Sequence, residues 1–125
     1  MLRQPEELRA RTKDFAKRVV SIFRALPKSD EARVLAKQVL RSGTAAGANY
    51  RAVCRVRPKA EFISKIRVVV EEADETVFWL ELLVETGVVK ESRIENLLTE
   101  AEELTAIFAA SPANSEGQLN GPMTQ

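Results

Sequence analysis

Apolar residues recur at intervals of three and four positions through four long stretches of the chain, the spacing expected of helices that bury one face. The first stretch runs from about Pro5 to Leu26, and its apolar positions are Leu8, Phe15, Val19, Ile22 and Leu26. Breaks rich in proline, glycine and turn-forming residues separate the stretches at 27–30, 57–58 and 86–88. No segment shows the alternation typical of a strand, so the pattern predicts four helices.

The other three predicted helices have local signals at their ends. Helix two is predicted over about 30–56, helix three over 58 to 85 or 86, and helix four over about 90–110. Ser29 or Asp30 can cap the start of helix two. Pro58 suits the first turn of helix three, and Gly87 can cap its C-terminus.

The centre of helix two, residues 42–48, has almost no side-chain bulk and includes Gly43 and Gly47. Each glycine costs a helix about 1 kcal/mol relative to alanine, so a compensating interaction is expected. Close approach by the backbone of a neighbouring helix would supply it. Alternatively, Ser42-Gly43 is a kink or break that divides the segment into two shorter helices.

The connections between these long helices are short, which favours antiparallel neighbours. The predicted fold is all-α, an up-down-up-down antiparallel four-helix bundle formed by residues 1–111 as one domain. Residues 112–125 are small, polar and interrupted by glycine and proline, which predicts a disordered C-terminal tail.

Composition excludes several classes of function. The chain has no histidine and one cysteine, Cys54, so it lacks the commonest general base, a thiolate–imidazole pair, an internal disulfide and an ordinary zinc or di-iron ligand set. No apolar stretch approaches the roughly 20 residues of a membrane span, and residues 1–5 lack the apolar run of a signal peptide. We therefore expect a cytoplasmic protein that is not an enzyme, holds no metal or cofactor and has no membrane partner.

The charges are sorted along the chain. Residues 1–67 contain 17 Lys and Arg against 6 Asp and Glu, a formal charge of +11, whereas residues 68–125 contain 2 against 12, a charge of −10. A partnerless monomer has no need of this sorting, which indicates a basic surface that meets something negative. The negative partner is either a nucleic acid or the acidic half of another copy of the chain.

Several basic residues follow one another at i, i+4 spacing, which places them in rows on helix faces. The rows are Arg33, Lys37 and Arg41 on helix two, Arg51, Arg55 and Lys59 at its far end, and Arg9, Lys13 and Lys17 on helix one. Such rows can follow a phosphate backbone without base-specific geometry. The alternative is a solvated helix face, the ordinary fate of charged runs.

The acidic half includes six carboxylates on helix three, at Glu71, Glu72, Asp74, Glu75, Glu81 and Glu85. Ferritin-like bundles bind two metals with Glu-x-x-His pairs, which this chain cannot form. We expect some of these carboxylates to meet arginines, either on helices one and two of the same chain or on an adjacent subunit in a ring.

Three ordered motifs resemble those of the bacterial 23S rRNA intervening-sequence protein family. They are the run 40–51 (LRSGTAAGANYR), the run 59–65 (KAEFISK), and the pair 72–76 (EADET) and 79–83 (WLELL). The resemblance covers about residues 12–110 and implies a four-helix bundle that assembles as a homopentameric ring. The accessory proteins of diversity-generating retroelements, basic pentamers that bind nucleic acid, look similar in fold.

The family signature maps onto both central helices of this chain. Its residues are Ser42, Gly43, Gly47, Asn49, Tyr50 and Arg51 on helix two, and Glu72, Asp74, Glu75 and Trp79 on helix three. Ala45 and Ala52 depart from the pattern, since many relatives carry Ser and Glu there, so a polar network that used that Glu is absent or rebuilt around Asn49 and Glu72. On physical grounds Asn49 is interpreted as a buried polar group that fixes helix register rather than as a ligand-binding residue.

These observations lead to one functional hypothesis and one alternative. The hypothesis is a non-enzymatic homo-oligomer whose basic face binds RNA or DNA through the backbone, with principal contacts at Arg33, Lys37, Arg41, Arg51, Arg55 and Lys59. The alternative is a scaffold whose charged faces are used in self-assembly and whose outer surface docks a protein partner.

Overall fold

A computed structural model describes residues 5–55 and 59–111 and contains, within them, four α-helices and no strand. The helices are α1 (Pro5–Ala25), α2 (Asp30–Val53), α3 (Lys59–Glu85) and α4 (Glu91–Ala109). The all-α prediction is confirmed. The predicted disordered tail at 112–125, the predicted end of helix two at Val56 and the predicted start of helix three at Pro58 lie outside the described residues.

The helix ends show the capping interactions that the local sequence predicts. Ser29 is the N-cap of α2, and its hydroxyl oxygen accepts a hydrogen bond from the Ala32 N–H at 3.4 Å. Gly87, beyond the end of α3, has φ +78° and donates its N–H to the Val84 carbonyl, while the Val88 N–H reaches the Leu83 carbonyl. This pair of bonds is a Schellman motif, and its left-handed residue favours glycine.

The core lies among all four helices, because each helix packs against its neighbour in the chain and α4 also contacts α1. The largest fully buried side chains come from every helix, and they include Leu8, Phe15, Tyr50, Ile66, Leu80, Leu83, Ile94, Leu104 and Phe108. The rings of Tyr50 and Phe108 meet at 4.9 Å between centroids. Burying each side chain of this size contributes about 1.5–3 kcal/mol, so this shared core is the main source of stability.

The two helical glycines mark where α1 and α2 come closest. A Cβ atom on Gly43 would lie 2.7 Å from Val19 Cγ2, and one on Gly47 would lie 3.2 Å from the Thr12 carbonyl oxygen. Since α2 is one continuous helix from Asp30 to Val53, the alternative that Ser42-Gly43 splits it in two is wrong. The predicted close approach is confirmed, and its packing offsets the low helix propensity of glycine.

A buried pair of hydroxyl groups joins α2 to α3. Ser42 and Thr76 have no exposed surface, and their side-chain oxygens lie 2.8 Å apart. The Ser42 hydroxyl also donates to the Gln38 carbonyl at 2.9 Å, and the Thr76 hydroxyl lies 2.8 Å from the Glu72 carbonyl oxygen. The bond between the two hydroxyls favours this register of α2 against α3, because sliding would break it, while each hydroxyl would keep the carbonyl partner in its own helix.

Asn49 does not have the register role predicted for it. Its side chain is half-buried, and its amide donates to the carbonyl of Ala45, one turn earlier in the same helix, at 2.8 Å. Glu72, the other expected member of a rebuilt network, instead accepts from Arg41. An amide can satisfy itself within its own helix in this way, which the sequence pattern does not distinguish from a bond across helices.

Candidate functional site

A groove of about 540 Å³ lies between α1 and α2, and we call it the basic groove. Four cationic side chains line it, Arg9 and Lys13 from α1 and Arg51 and Arg55 from α2 and the turn that follows. The other lining residues are small or short, with one carboxylate among them: Ala10, Ala16, Thr44, Gly47, Ala48 and Glu6. The formal charge of the lining is therefore +3.

The sequence explains the shape of the basic groove. Gly47 lets the backbone of α2 approach the Thr12 carbonyl, so small residues form the floor where the helices meet. Arg9 and Lys13 lie one turn apart on α1, and Arg51 lies one turn before Arg55. Long cationic side chains thus stand on both helices above a floor of little bulk, which suits the groove to an anionic ligand.

These four cations have no carboxylate partner in the part of the chain that the structure describes. Arg9, Lys13, Arg51 and Arg55 form no ion pair with residues 5–55 or 59–111. All four side chains are also exposed at the surface. Their charge is therefore available to a ligand, in contrast to that of two arginines elsewhere on α1 and α2.

Arg41 on α2 is one of those two arginines. Its guanidinium forms an ion pair with Glu72 at 3.2 Å and a second, short one with Glu75, both on α3. Glu75 also accepts a hydrogen bond from the Trp79 indole N–H at 3.0 Å. The pKa of Glu75 is lowered, mainly by the bond from Trp79 and next by Arg41. The bond to Glu75 in turn raises the pKa of Arg41. Arg41 thus reaches a phosphate only in competition with two carboxylates.

Arg11 on α1 is the second paired arginine, and sequence reasoning missed it. It binds both carboxylate oxygens of Glu100 on α4, at 2.7 and 2.8 Å, and Glu103 at 2.7 Å. These bonds raise the pKa of Arg11 despite its partial burial. The i, i+3 spacing of the two carboxylates was a visible signal, but nothing local indicates that α4 lies beside α1. The expectation that carboxylates of helix three meet arginines of the same chain is confirmed at Arg41, whereas the Arg11 pairs involve carboxylates of α4.

The predicted basic residues fall in different parts of the surface. Arg33 and Lys37 are exposed in the first half of α2, outside the basic groove, whereas Arg51 and Arg55 line it. Lys59 is exposed at the first position of α3.

The predicted row of Arg51, Arg55 and Lys59 on one helix is wrong. Helix α2 ends at Val53, and Arg55 lies in the turn that follows, where its N–H bonds to the carbonyl of Ala52, three residues back. A bond over three residues tightens the last turn and ends the helical register. The basic residues that share the groove with Arg51 and Arg55 are Arg9 and Lys13 on α1. The packing of the two helices brings these four cations together.

The signature residues separate into a buried group and a surface group. Ser42, Gly43 and Tyr50 are buried, and burial first, then the neighbouring thiol of the half-buried Cys54, raises the pKa of Tyr50. The structure brings Glu72, Glu75 and Trp79 together around Arg41, while Asp74 is exposed and takes no part in this cluster. The signature is therefore largely structural, and it contributes Gly47 and Arg51 to the basic groove.

An exposed aromatic side chain, that of Phe78, lies on α3 outside the basic groove. Phe78 is 53% exposed and packs edge-on against Trp79 with ring centroids 4.9 Å apart. A single exposed apolar side chain is ordinary on a protein surface and does not by itself indicate a binding site. No helix among the described residues is long and apolar enough to cross a membrane.

Comparison with known proteins gives a family and solved structures of similar fold. The family model for the 23S rRNA-intervening sequence protein matches residues 7–110. A crystal structure of a protein with unknown function from the S23 ribosomal protein family, from Bacteroides thetaiotaomicron, is 31% identical with a TM-score of 0.78. That match covers 85% of this chain and 95% of the other. No curated protein matches the chain.

Proposed function

The chain belongs to the 23S rRNA-intervening sequence protein family, and from its basic groove we propose that it is a non-enzymatic cytoplasmic protein that binds the backbone of RNA or DNA. The observation that carries the proposal is the convergence of Arg9, Lys13, Arg51 and Arg55 on one groove without carboxylate partners in the described chain. Phosphates are the natural ligands of such a group, because each one neutralised releases a condensed counterion.

The proposed contact surface is the basic face of α1 and α2, with the basic groove at its centre. Arg51 and Arg55 contact phosphates within the groove, together with Arg9 and Lys13. Arg33, Lys37, Arg41 and Lys59 extend the surface on either side, with Arg41 the weakest contributor because Glu72 and Glu75 compete for it. Contacts to phosphates carry no sequence information directly, so a surface that binds the backbone is expected to show little base preference.

We further propose that the four helices run up-down-up-down as an antiparallel bundle. Two contacts support this for α1 and α2. Gly43 lies against Val19, whereas Gly47 lies against Thr12, so moving forward along α2 corresponds to moving backward along α1. The four-residue connection 26–29 between α1 and α2 and the five-residue connection 86–90 between α3 and α4 also favour antiparallel neighbours.

Charge reversal in the groove tests the proposal with a matched control. The variant Arg51→Glu/Arg55→Glu is expected to weaken binding of fluorescent RNA and DNA oligonucleotides by about tenfold or more. The control Lys90→Glu/Arg93→Glu makes the same change in net charge at exposed positions at the start of α4. It is expected to weaken binding much less. Equal losses in both variants would show that net charge, and not the groove, governs binding.

A scaffold that self-assembles and docks a protein is the second candidate, and the opposite formal charges of residues 1–67 and 68–125 favour it. In this proposal the chain forms a homo-oligomer, a pentamer by family resemblance, and the charged faces form subunit contacts. Sedimentation equilibrium measures the mass of the wild type, Phe78→Ser and Arg33→Glu/Lys37→Glu. RNA binding is measured on the same three proteins. Loss of the oligomer in the charge-reversed variant would make Arg33 and Lys37 interface residues, and an unchanged mass with lost RNA binding would make them phosphate contacts.

A further inference from the structure

We propose that the ligand of the basic groove is a double-stranded nucleic acid, one strand of which lies between α1 and α2 and is held by its phosphates. This inference rests on the proposed function and adds the class of nucleic acid to it. Two features of the groove carry it, namely the absence of aromatic side chains from its lining and the shape of its floor, and the position of Glu6 provides a test.

The lining of the groove offers no surface on which a base can stack. None of its lining residues, all within the described part of the chain, is aromatic. The aromatic residues of α1 and α2 are Phe15, Phe23 and Tyr50, of which Phe15 and Tyr50 are each 1% exposed and Phe23 packs against the core. Proteins that bind single strands without sequence preference combine a basic groove with aromatic rings, and each stacked base contributes about 1–3 kcal/mol.

A duplex needs no such surface. Its bases are already stacked and its backbone is already ordered, so binding carries a smaller ordering cost than that of a flexible strand. Its charge density is also higher, with about one negative charge per 1.7 Å of axis against one per 3.4 Å for each strand alone. A groove that attracts phosphates but cannot stack bases therefore favours the duplex.

The floor and walls of the groove suit the ridge that a backbone strand forms on a duplex. Gly47, Ala48 and Ala10 leave room for close approach along the line where the helices meet. Arg9 and Lys13 lie about 6 Å apart along α1, a spacing comparable with that of neighbouring phosphates in one strand. Arg51 and Arg55 stand on the other side, so a strand in the groove is contacted from both helices.

Glu6, in the first turn of α1, provides a test in which removal of a charge is expected to tighten binding. It is the one carboxylate among the described residues that line the groove, and it opposes a phosphate placed there. Glu7, its neighbour in the same turn, is exposed and does not line the groove. Changing either residue to glutamine removes the same charge from the same helix end, so only their positions relative to the groove differ.

The experiment uses the full-length protein with a short RNA duplex, a DNA duplex of the same sequence and the separated strands. Competition binding at one salt concentration is expected to show that the duplexes bind about threefold or more tighter than their strands. Glu6→Gln is expected to tighten duplex binding by about two- to fivefold, and Glu7→Gln to change it by much less.

The possible failures separate this inference from the proposed function. Equal or tighter binding of single strands would overturn the duplex assignment and leave backbone binding intact. Equal effects of Glu6→Gln and Glu7→Gln would overturn the placement of the strand in the groove. Absence of binding to any of the nucleic acids would overturn both. If Glu6→Gln instead changes the mass of an oligomer without affecting duplex binding, the groove holds a second copy of the chain and the inference is wrong.

Discussion

Gly47 of α2 faces the backbone of Thr12 in α1, so closely that a Cβ atom on Gly47 would lie 3.2 Å from the Thr12 carbonyl oxygen. This contact has two consequences. It allows the helices to pack with little side-chain volume between them, and it lowers the floor of the groove that Arg9, Lys13, Arg51 and Arg55 surround. One residue therefore links the packing of the fold to the shape of the proposed site.

A larger side chain at Gly47 is expected to destabilise the protein. Gly47→Val gains helix propensity but places branched methyl groups against a backbone atom that can yield only if a helix shifts, so the free energy of unfolding should fall by about 1–3 kcal/mol. Urea unfolding measures it, with Ala48→Val as the control at an exposed neighbouring position. Unchanged stability in Gly47→Val would mean that α1 and α2 do not meet here.

Arg41 is expected to matter for stability more than its exposure indicates. Arg41→Glu places a third carboxylate beside Glu72 and Glu75, and we expect a loss of about 1 kcal/mol. Lys37→Glu, one turn earlier on an exposed surface, is expected to change stability by less than about 0.5 kcal/mol. Thermal unfolding of both variants compares them, and equal changes in melting temperature would contradict the ion pairs.

The lowered pKa of Glu75 predicts a pH dependence with a definite sign. Its pKa falls below the ordinary 4.5 because Trp79 and Arg41 bond to the carboxylate, so folding favours the ionised form. The stabilisation is present above pH 4.5 and is lost as the pH falls through the lowered value. The difference in unfolding free energy between the wild type and Glu75→Gln should therefore shrink on acidification from neutral pH.

Fluorescence of Trp79 during urea unfolding at a series of pH values measures that difference, since the chain has one tryptophan. Asp74→Asn is the control, because Asp74 is exposed and outside the cluster. A constant difference between the wild type and Glu75→Gln across the acidic range would contradict the bonds assigned to Glu75.

The parts of the fold that the sequence predicts are those set by local interactions. Ser29 and Gly87 mark helix ends because their capping bonds involve residues within a few positions of them. The glycines of α2 predict a close approach because the cost of glycine in a helix requires a compensating contact. Neither inference depends on knowing which helices are neighbours.

The grouping of charges depends on that knowledge, which is why the sequence predicted it less well. Arg51 and Arg55 were grouped with Lys59 by spacing, yet their neighbours in the groove come from α1. The Arg11 and Glu100 pair joins residues 89 positions apart, and nothing local indicates that α4 lies beside α1. Asn49 failed for a different reason, since its amide bonds within its own helix and no pattern of residue types distinguishes that choice.

The salt dependence of nucleic-acid binding tests the central claim most directly. The measurement is the binding constant of the wild-type protein for a fluorescent duplex between about 50 and 200 mM salt, plotted as log K against log salt concentration. Contacts from the four cations of the groove to four phosphates of B-DNA predict a slope of at least roughly −3 to −4, at about −0.9 for each phosphate, and any contact outside the groove makes it steeper. A slope near zero, or no binding at the lowest salt, would contradict the claim that the basic groove binds phosphates.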